Sequence, residues 1–414
     1  MIQFSECTLS NGLKVIHHSD NQSPIAVVNL LYKVGSKDEE PNRTGFAHLF
    51  EHLMFGGSKN IPSYDAPLQE VGGENNAFTS SDITNYYVTL PKSAIETAFW
   101  LESDRMNELA FTTNSLEVQK KVVVEEFKQN YLNQPYGDVY LLLKPLAYKL
   151  HPYQWPTIGK KVEHIAEAQM EEVKNFFYKH YRPNNAILSI VGDFDFKEVV
   201  QLAEKWFGDI PNGKIKEQAM TMEPLQSEKR TLAVERKVPQ DAIYMAFHMC
   251  SRKNQDYHTT DLISDILSSG ESSRFYEELI LGRQMFSELN AYITGEIEPG
   301  LFIVGGKLIP GVSMADAEEA IWEQLNKMCQ VLVHENELEK AKNQVLTIDA
   351  YGKTSALNKA MGLAYASLLG DTDLINTEKE HYLQVCRQDI LKVSKNLFME
   401  TNSSTLYYYK VGNE

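Results

Sequence analysis

The segment from Thr44 to Gly56 leaves this chain few ways to fold. Phe46, Leu49, Phe50, Leu53 and Met54 recur at helical spacing, which predicts a short helix with its apolar side buried. On that helix His48, Glu51 and His52 stand at i, i+3 and i+4 and share one face. The polar trio is therefore expected inside packed surroundings rather than in open water. Two imidazoles one turn apart are suited to chelating zinc, and a glutamate between them is placed to act as a general base, as peptide hydrolysis requires. The order His-x-x-Glu-His reverses the commoner zinc pattern. The competing reading is a purely structural helix in which the three meet by chance, and a third ligand decides between the two.

No Cys-x-x-Cys pair is present, so that ligand is expected to be an acid or a histidine on another rigid element. A helix predicted over about Ser115 to Asn130 carries Glu117, Glu125 and Glu126. At about 100° per residue, Leu116, Val122, Val123, Val124 and Phe127 centre on one side, with Glu126 flanking them and Glu125 almost opposite. A carboxylate beside a buried stripe is unusual without a partner, whereas an opposite one is an ordinary solvated acid. The wheel therefore selects Glu126. Gln119, two turns earlier on the same face, is placed to support it from behind.

With 414 residues, 43% hydrophobic and 23% charged, the chain can bury two or three domains. Cys7, Cys250, Cys329 and Cys386 are too scattered for a disulfide framework. The first residues show neither a basic nor an apolar export region, and no stretch of about 18 apolar residues occurs. The expected location is cytoplasmic as given, or periplasmic if an export signal has been trimmed. A net charge of -16 disfavours nucleic acid and anionic membrane as partners.

In chain order, Asn11-Gly12 marks a hairpin between Cys7–Leu9 and Leu13–His17, and Ala26–Val34 reads as a central strand. Ser63 is a candidate cap for a helix from Tyr64, Asn76–Ser80 and Tyr86–Leu90 read as strands, and Pro91 suits the first turn of a helix reaching Met106. After a strand over Ala186–Val191, a helix over Val199–Phe207 and a pause, the order repeats: strands Thr231–Val234 and Ala242–Met249, a helix ending near Gly270, another over Ser273–Leu281, and more strands and helices. Aligning Gly57 with Gly270 puts Asp261, Ser264 and Asp265 where the first half has His48, Glu51 and His52. The expected fold class is α+β, with two similar domains of mixed sheet plus helices related by duplication: residues 1–211 bear the metal, 212–229 link, and 230–414 repeat the scaffold without ligands.

The segments Gly45–Gly56, Gly72–Thr79, Val122–Glu126, Tyr181–Asn185 and Ser272–Tyr276 together resemble the insulinase, pitrilysin and mitochondrial processing peptidase family of zinc metallopeptidases. The resemblance covers essentially the whole chain. It implies half of a clamshell-like chamber, and an endopeptidase for unfolded peptides with one zinc on His48, His52 and Glu126 and Glu51 as general base. It also implies that Asn76, Ala77 and Phe78 bind substrate backbone by strand addition. Where many relatives have a glutamate seven residues before the third ligand, this chain has Gln119. Where they carry an Arg and a Tyr in the second half, it has Ile280 and Ser287. The expectation is the metal-bearing subunit of a two-chain enzyme, whose same-fold partner supplies that Arg and Tyr. The alternatives are a homodimer, substitution by Arg283 or Tyr292, and a non-catalytic structural or assembly subunit.

Overall fold

Two sheets carry the computed structural model, which describes residues 1–214 and 221–411. The first contains β1 (Ser5–Thr8), β2 (Lys14–Ser19), β3 (Ile25–Tyr32), β4 (Glu74–Thr79), β5 (Thr84–Pro91) and β6 (Ala186–Gly192), in the order β1-β2-β6-β3-β5-β4. The second contains β7 (Arg230–Arg236), β8 (Ala242–His248), β9 (Phe286–Ile293), β10 (Leu301–Leu308) and β11 (Ser403–Lys410), in the order β7-β11-β8-β10-β9. Without β1 the two orders are the same arrangement displaced by one set of strands. The parallel pair also recurs in place, β2 with β6 and β7 with β11, while the other pairs are antiparallel. The fold is thus α+β with two like sheets. Among the described residues, no helix is long and apolar enough to cross a membrane.

Local chemistry accounts for much of this. Gly12, at φ +88°, makes the β1–β2 turn, with its amide donating to Leu9 O. β3 lies between β6 and β5 and is buried along nearly its whole length, as its Ala-Val-Val and Leu-Leu runs require. Pro91 closes β5 instead of opening a helix; the next α-helix is Ile95–Asn107, after a 3₁₀ turn. At the end of the strand, Pro91 has no ladder bond to lose. Ser63 caps nothing, because Tyr64 takes the N-cap position of the helix Asp65–Glu70. The run expected as a helix over Ser273–Leu281 is largely π-helix, which spans Tyr276–Gly282.

The two compact units do not correspond to a single cut in the sequence. One comprises Met1–Gln129, Trp155–Met220 and Ala350–Thr377, the other Asn130–Gln154, Thr221–Asp349 and Glu378–Glu414. Each sheet is covered by a helix from a distant stretch of chain. In the first unit, Ala360, Leu363 and Ala364 of the helix Ala356–Leu369 pack on Val27, Leu31, Ile187 and Val191. In the second, Val139, Leu143 and Ala147 of the helix Val139–Ala147 pack on Ala242, Ala246, Leu301 and Leu406. A linear division at 212–229 assigns both helices to the other sheet, and residues 215–220 of that stretch lie outside the described residues.

Candidate metal centre

The motif helix spans Phe46–Leu53, with Phe46, Ala47, Leu49, Phe50 and Leu53 buried. Burying each large apolar side chain contributes about 1.5–3 kcal/mol. Gly45 begins it at φ +92°, where a Cβ would stand 2.7 Å from Ile158 O, so glycine is required twice over. The helix N-terminus is satisfied from a distance: buried Glu39 accepts hydrogen bonds from Gly45 N and Ala47 N, both at 2.8 Å. Burial pushes the Glu39 carboxyl up to about 8 against the pull of these two amides.

Aromatic packing fixes the other side of this helix. Phe50 stacks on Phe176 and Tyr181 at centroid distances of 5.3 and 5.1 Å, which gives the Tyr181–Asn185 segment a structural role. Tyr86 donates to Phe50 O at 3.3 Å, and buried Arg105 sits over the rings of Phe55, Tyr64 and Tyr86 while paired with buried Glu102.

The second helix, Thr113–Phe127, is capped by Thr112, whose side chain accepts from Ser115 N. It comes close to the end of the motif segment, and a Cβ on Gly56 would lie 2.8 Å from Ser115 Oγ. Leu116, Val123 and Phe127 are buried, but Val122 is exposed, so the apolar face is narrower than the sequence predicts. Glu126 lies on the edge of this face. Glu125 is 70% exposed and pairs with Lys128 at 2.7 Å.

His48 Nε2 lies 3.7 Å from Glu126 Oε1, and His52 Nε2 lies 3.4 Å from Glu126 Oε2. One ligand atom from each of the three lies within 4.8 Å of the other two. Burial holds the His48 imidazole below its ordinary pKa despite the nearby carboxylates. The hydrogen bond with His52 holds the Glu126 carboxyl below the usual carboxylate range, against burial and with help from both imidazoles. Neutral imidazole with ionised carboxylate is the protonation state a divalent cation needs. His48 Nδ1 is buried and has no hydrogen-bond partner among the described residues, so packing orients this ring.

Glu51, on the same helix, receives a hydrogen bond from Thr79 Oγ1 to its Oε2 at 2.6 Å. Asn76, Ala77 and Phe78 lie on β4, which among the described residues is an edge strand paired with β5 alone; one row of its backbone groups lies outside the ladder, and there Ala77 N donates to Asn76 Oδ1 at 2.8 Å. Gln119 makes no hydrogen bond to the three residues among the described ones. It points towards Gly56, where a Cβ would meet its Nε2 at 4.0 Å. In the second unit Ile280 packs against the core and Ser287 donates to Gln240 Oε1 at 3.1 Å. Arg283 is paired with Glu323, and the Tyr292 hydroxyl lies 2.5 Å from that of Tyr140.

Glu39, Thr79 and Arg105 bear on this site without a signal in the sequence. Period and spacing say nothing of a loop carboxylate that reaches eight residues forward, nor of a hydroxyl that crosses from a strand to a helix.

Residues 14–160 match the family model described as Insulinase (Peptidase family M16), and residues 167–345 match the one described as Peptidase M16 inactive domain. His48, Glu51, His52 and Glu126 all fall within the first match. The chain is 30% identical to the zinc protease PqqE of Helicobacter pylori over 97% of its own length and 91% of the relative's. It is 30% identical to a probable mitochondrial-processing peptidase subunit beta of Schizosaccharomyces pombe, over 49% of this chain and 44% of that one. A crystal structure of a protease from Helicobacter pylori superposes with a TM-score of 0.92 at 26% identity, covering 99% of this chain and 100% of that one.

Proposed function

This chain belongs to the insulinase family, peptidase family M16, and from that premise we propose that it is a zinc-dependent endopeptidase acting on unfolded peptides. His48, His52 and Glu126 hold one metal ion in this reading, and Glu51 is the general base. The observation that carries it is the convergence of two imidazole Nε2 atoms and one carboxylate within 4.8 Å, beside a glutamate on the same helix. Two histidines and an acid are a donor set that suits zinc and leaves a fourth position open.

When bound there, zinc makes water acidic enough to ionise near neutral pH and polarises the carbonyl under attack. This chain's own groups supply the rest. Glu51 Oε2 is held by Thr79, so Oε1 is free to take the proton from the attacking water and return it to the leaving amine. The outer edge of β4 over Asn76, Ala77 and Phe78 receives an extended peptide, which displaces the Asn76 Oδ1 now bonded to Ala77 N at 2.8 Å and takes its register from the strand.

The developing oxyanion needs donors besides the metal. Ile280 and Ser287 offer no cation or phenol, and Arg283 and Tyr292 are engaged within their own unit. We therefore assign these donors to a same-fold partner chain carrying an Arg and a Tyr, with a second copy of this chain as the other source. The subunit beta named among its relatives supports a divided enzyme.

The test is cleavage of a quenched library of unfolded peptides by the purified chain, alone and with a same-fold partner. Chelation is expected to abolish cleavage and zinc to restore it. Glu51→Gln is expected to keep zinc and lose cleavage, and a partner to raise the rate about 10²- to 10³-fold. Cleavage by Glu51→Gln at the unsubstituted rate would sink the base assignment. A zinc-loaded chain inactive alone and with every such partner would instead be a non-catalytic subunit.

A further inference from the structure

The strand expected to receive substrate also holds the expected base. β4 alternates half-buried and exposed residues, so Asn75, Ala77 and Thr79 share one face while Glu74, Asn76 and Phe78 share the other. The motif helix packs against β4, and Thr79, the last residue of the strand, donates its hydroxyl to Glu51 Oε2 at 2.6 Å.

That hydroxyl is well fixed. The turn after it is closed by Ser80 N to Ile83 O at 2.8 Å, and Ser80 Oγ accepts from both Asp82 N and Ile83 N at 3.1 Å. The turn is in turn bound to the loop before the motif helix: Ser36 N donates to Ser80 O, Lys37 N to Ser81 O, and Lys37 Nζ to Asp82 at 2.6 Å. The approach is tight enough that a Cβ on Gly35 would lie 2.5 Å from Ser81 and Asp82 backbone. The same loop carries Glu39, the carboxylate that caps the motif helix. Strand, turn, loop and helix thus form a closed circuit with the Thr79–Glu51 bond as its last link.

We infer that Thr79 is a positioning residue for Glu51: it holds one carboxylate oxygen so that the other faces the reacting water, and it ties the base to the strand on which the peptide lies. The inference rests on Glu51 being the base. A carboxylate free to rotate loses the alignment on which proton transfer depends, and misplacement by about 1 Å can cost about 10²-fold in rate.

The experiment compares Thr79→Val, which keeps the shape without the hydroxyl, with Thr79→Ser, which keeps the hydroxyl, and Thr79→Ala as a second removal. In the zinc-loaded enzyme, Val and Ala are expected to lower kcat about 10- to 100-fold with KM and zinc stoichiometry unchanged, and Ser to restore kcat to within about three-fold. In the metal-free chain carrying ¹³C-glutamate, the Glu51 carboxylate resonance is expected to move in Val and Ala but not in Ser. Val and Ala at the unsubstituted kcat, with Glu51→Gln inactive, would overturn the inference and leave the base assignment standing. So would a Ser variant as slow as Val. Glu51→Gln at full activity would overturn both.

Discussion

The two units place a helix in the same position and use it in opposite ways. Phe46–Leu53 lies between β3 and β4, and Tyr257–Ser268 between β8 and β9; each is followed by a glycine of positive φ, Gly57 and Gly270. On the first, His48 and His52 turn ring nitrogens towards Glu126, a neighbour from another helix. On the second, Asp261 receives the Tyr382 hydroxyl at 2.6 Å, and Ser264 donates to its own helix at Asp261 O. His258 and Arg252 converge on Glu378. The first helix presents acceptors that gather around a shared point, and the second engages Asp261, Ser264 and His258 in bonds within its own unit. Equivalent position on a repeated scaffold therefore does not confer equivalent chemistry; the side chains brought to it decide.

The largest expected difference is in metal binding. Glu126→Gln should weaken zinc binding by more than the 10- to 100-fold usual for an outer partner, while Glu125→Gln, on the solvent side, should leave it unchanged. Asp261→Asn and Asp265→Asn should likewise leave it unchanged. Metal titration of purified variants checks the order, and the reverse order for Glu125 and Glu126 would break the comparison.

Next is the cap. Replacing Glu39 by Ala leaves two amides of the motif helix buried without their acceptor, at about 1–3 kcal/mol. A lower thermal midpoint together with weaker zinc binding is expected, because the helix that carries both histidines frays. An unchanged midpoint would mean that Glu39 does not hold the helix.

The smallest effects are pH-dependent, and the second unit should show two of opposite sign. Burial raises the Glu378 carboxyl, but His258 and Arg252 outweigh it and hold the group at about 2. Its contribution is thus present above the ordinary carboxylate pKa and is lost as pH falls towards 2. Asp265 is pushed up to about 7 by burial and by Asp261, so the folded chain retains a proton that the unfolded chain releases, and stability falls as pH rises from about 4 to 7. Glu378→Gln should destabilise at pH 7 and hardly at all near pH 2, and Asp265→Asn should stabilise at pH 8 and not at pH 4. Denaturant unfolding of the variants across pH reads both slopes, and slopes of the same sign would contradict the burial and pairing described.

What the sequence made legible was what depends on period and local chemistry. The Asn11-Gly12 turn, the apolar strand around Val27 and Val28, and the motif helix all follow from patterns within a dozen residues. The helical wheel separated exposed Glu125 from half-buried Glu126, although it wrongly buried Val122. Contacts between distant stretches were not legible. No element was expected over Val139–Ala147, where Pro145 argues against a helix and tertiary packing overrides it. Nothing local says that Ala356–Leu369 covers the first sheet, or that Thr79 reaches Glu51. Pro91 ends a strand where the sequence predicts the start of a helix, because a proline serves equally in either place.

The most direct test is to locate the metal. Crystals of the zinc-loaded chain measured at the zinc absorption edge should show one strong anomalous peak at bonding distance, about 2 Å, from His48 Nε2, His52 Nε2 and a Glu126 oxygen. No peak there, or a peak beside Asp261 and Asp265 instead, would contradict the account.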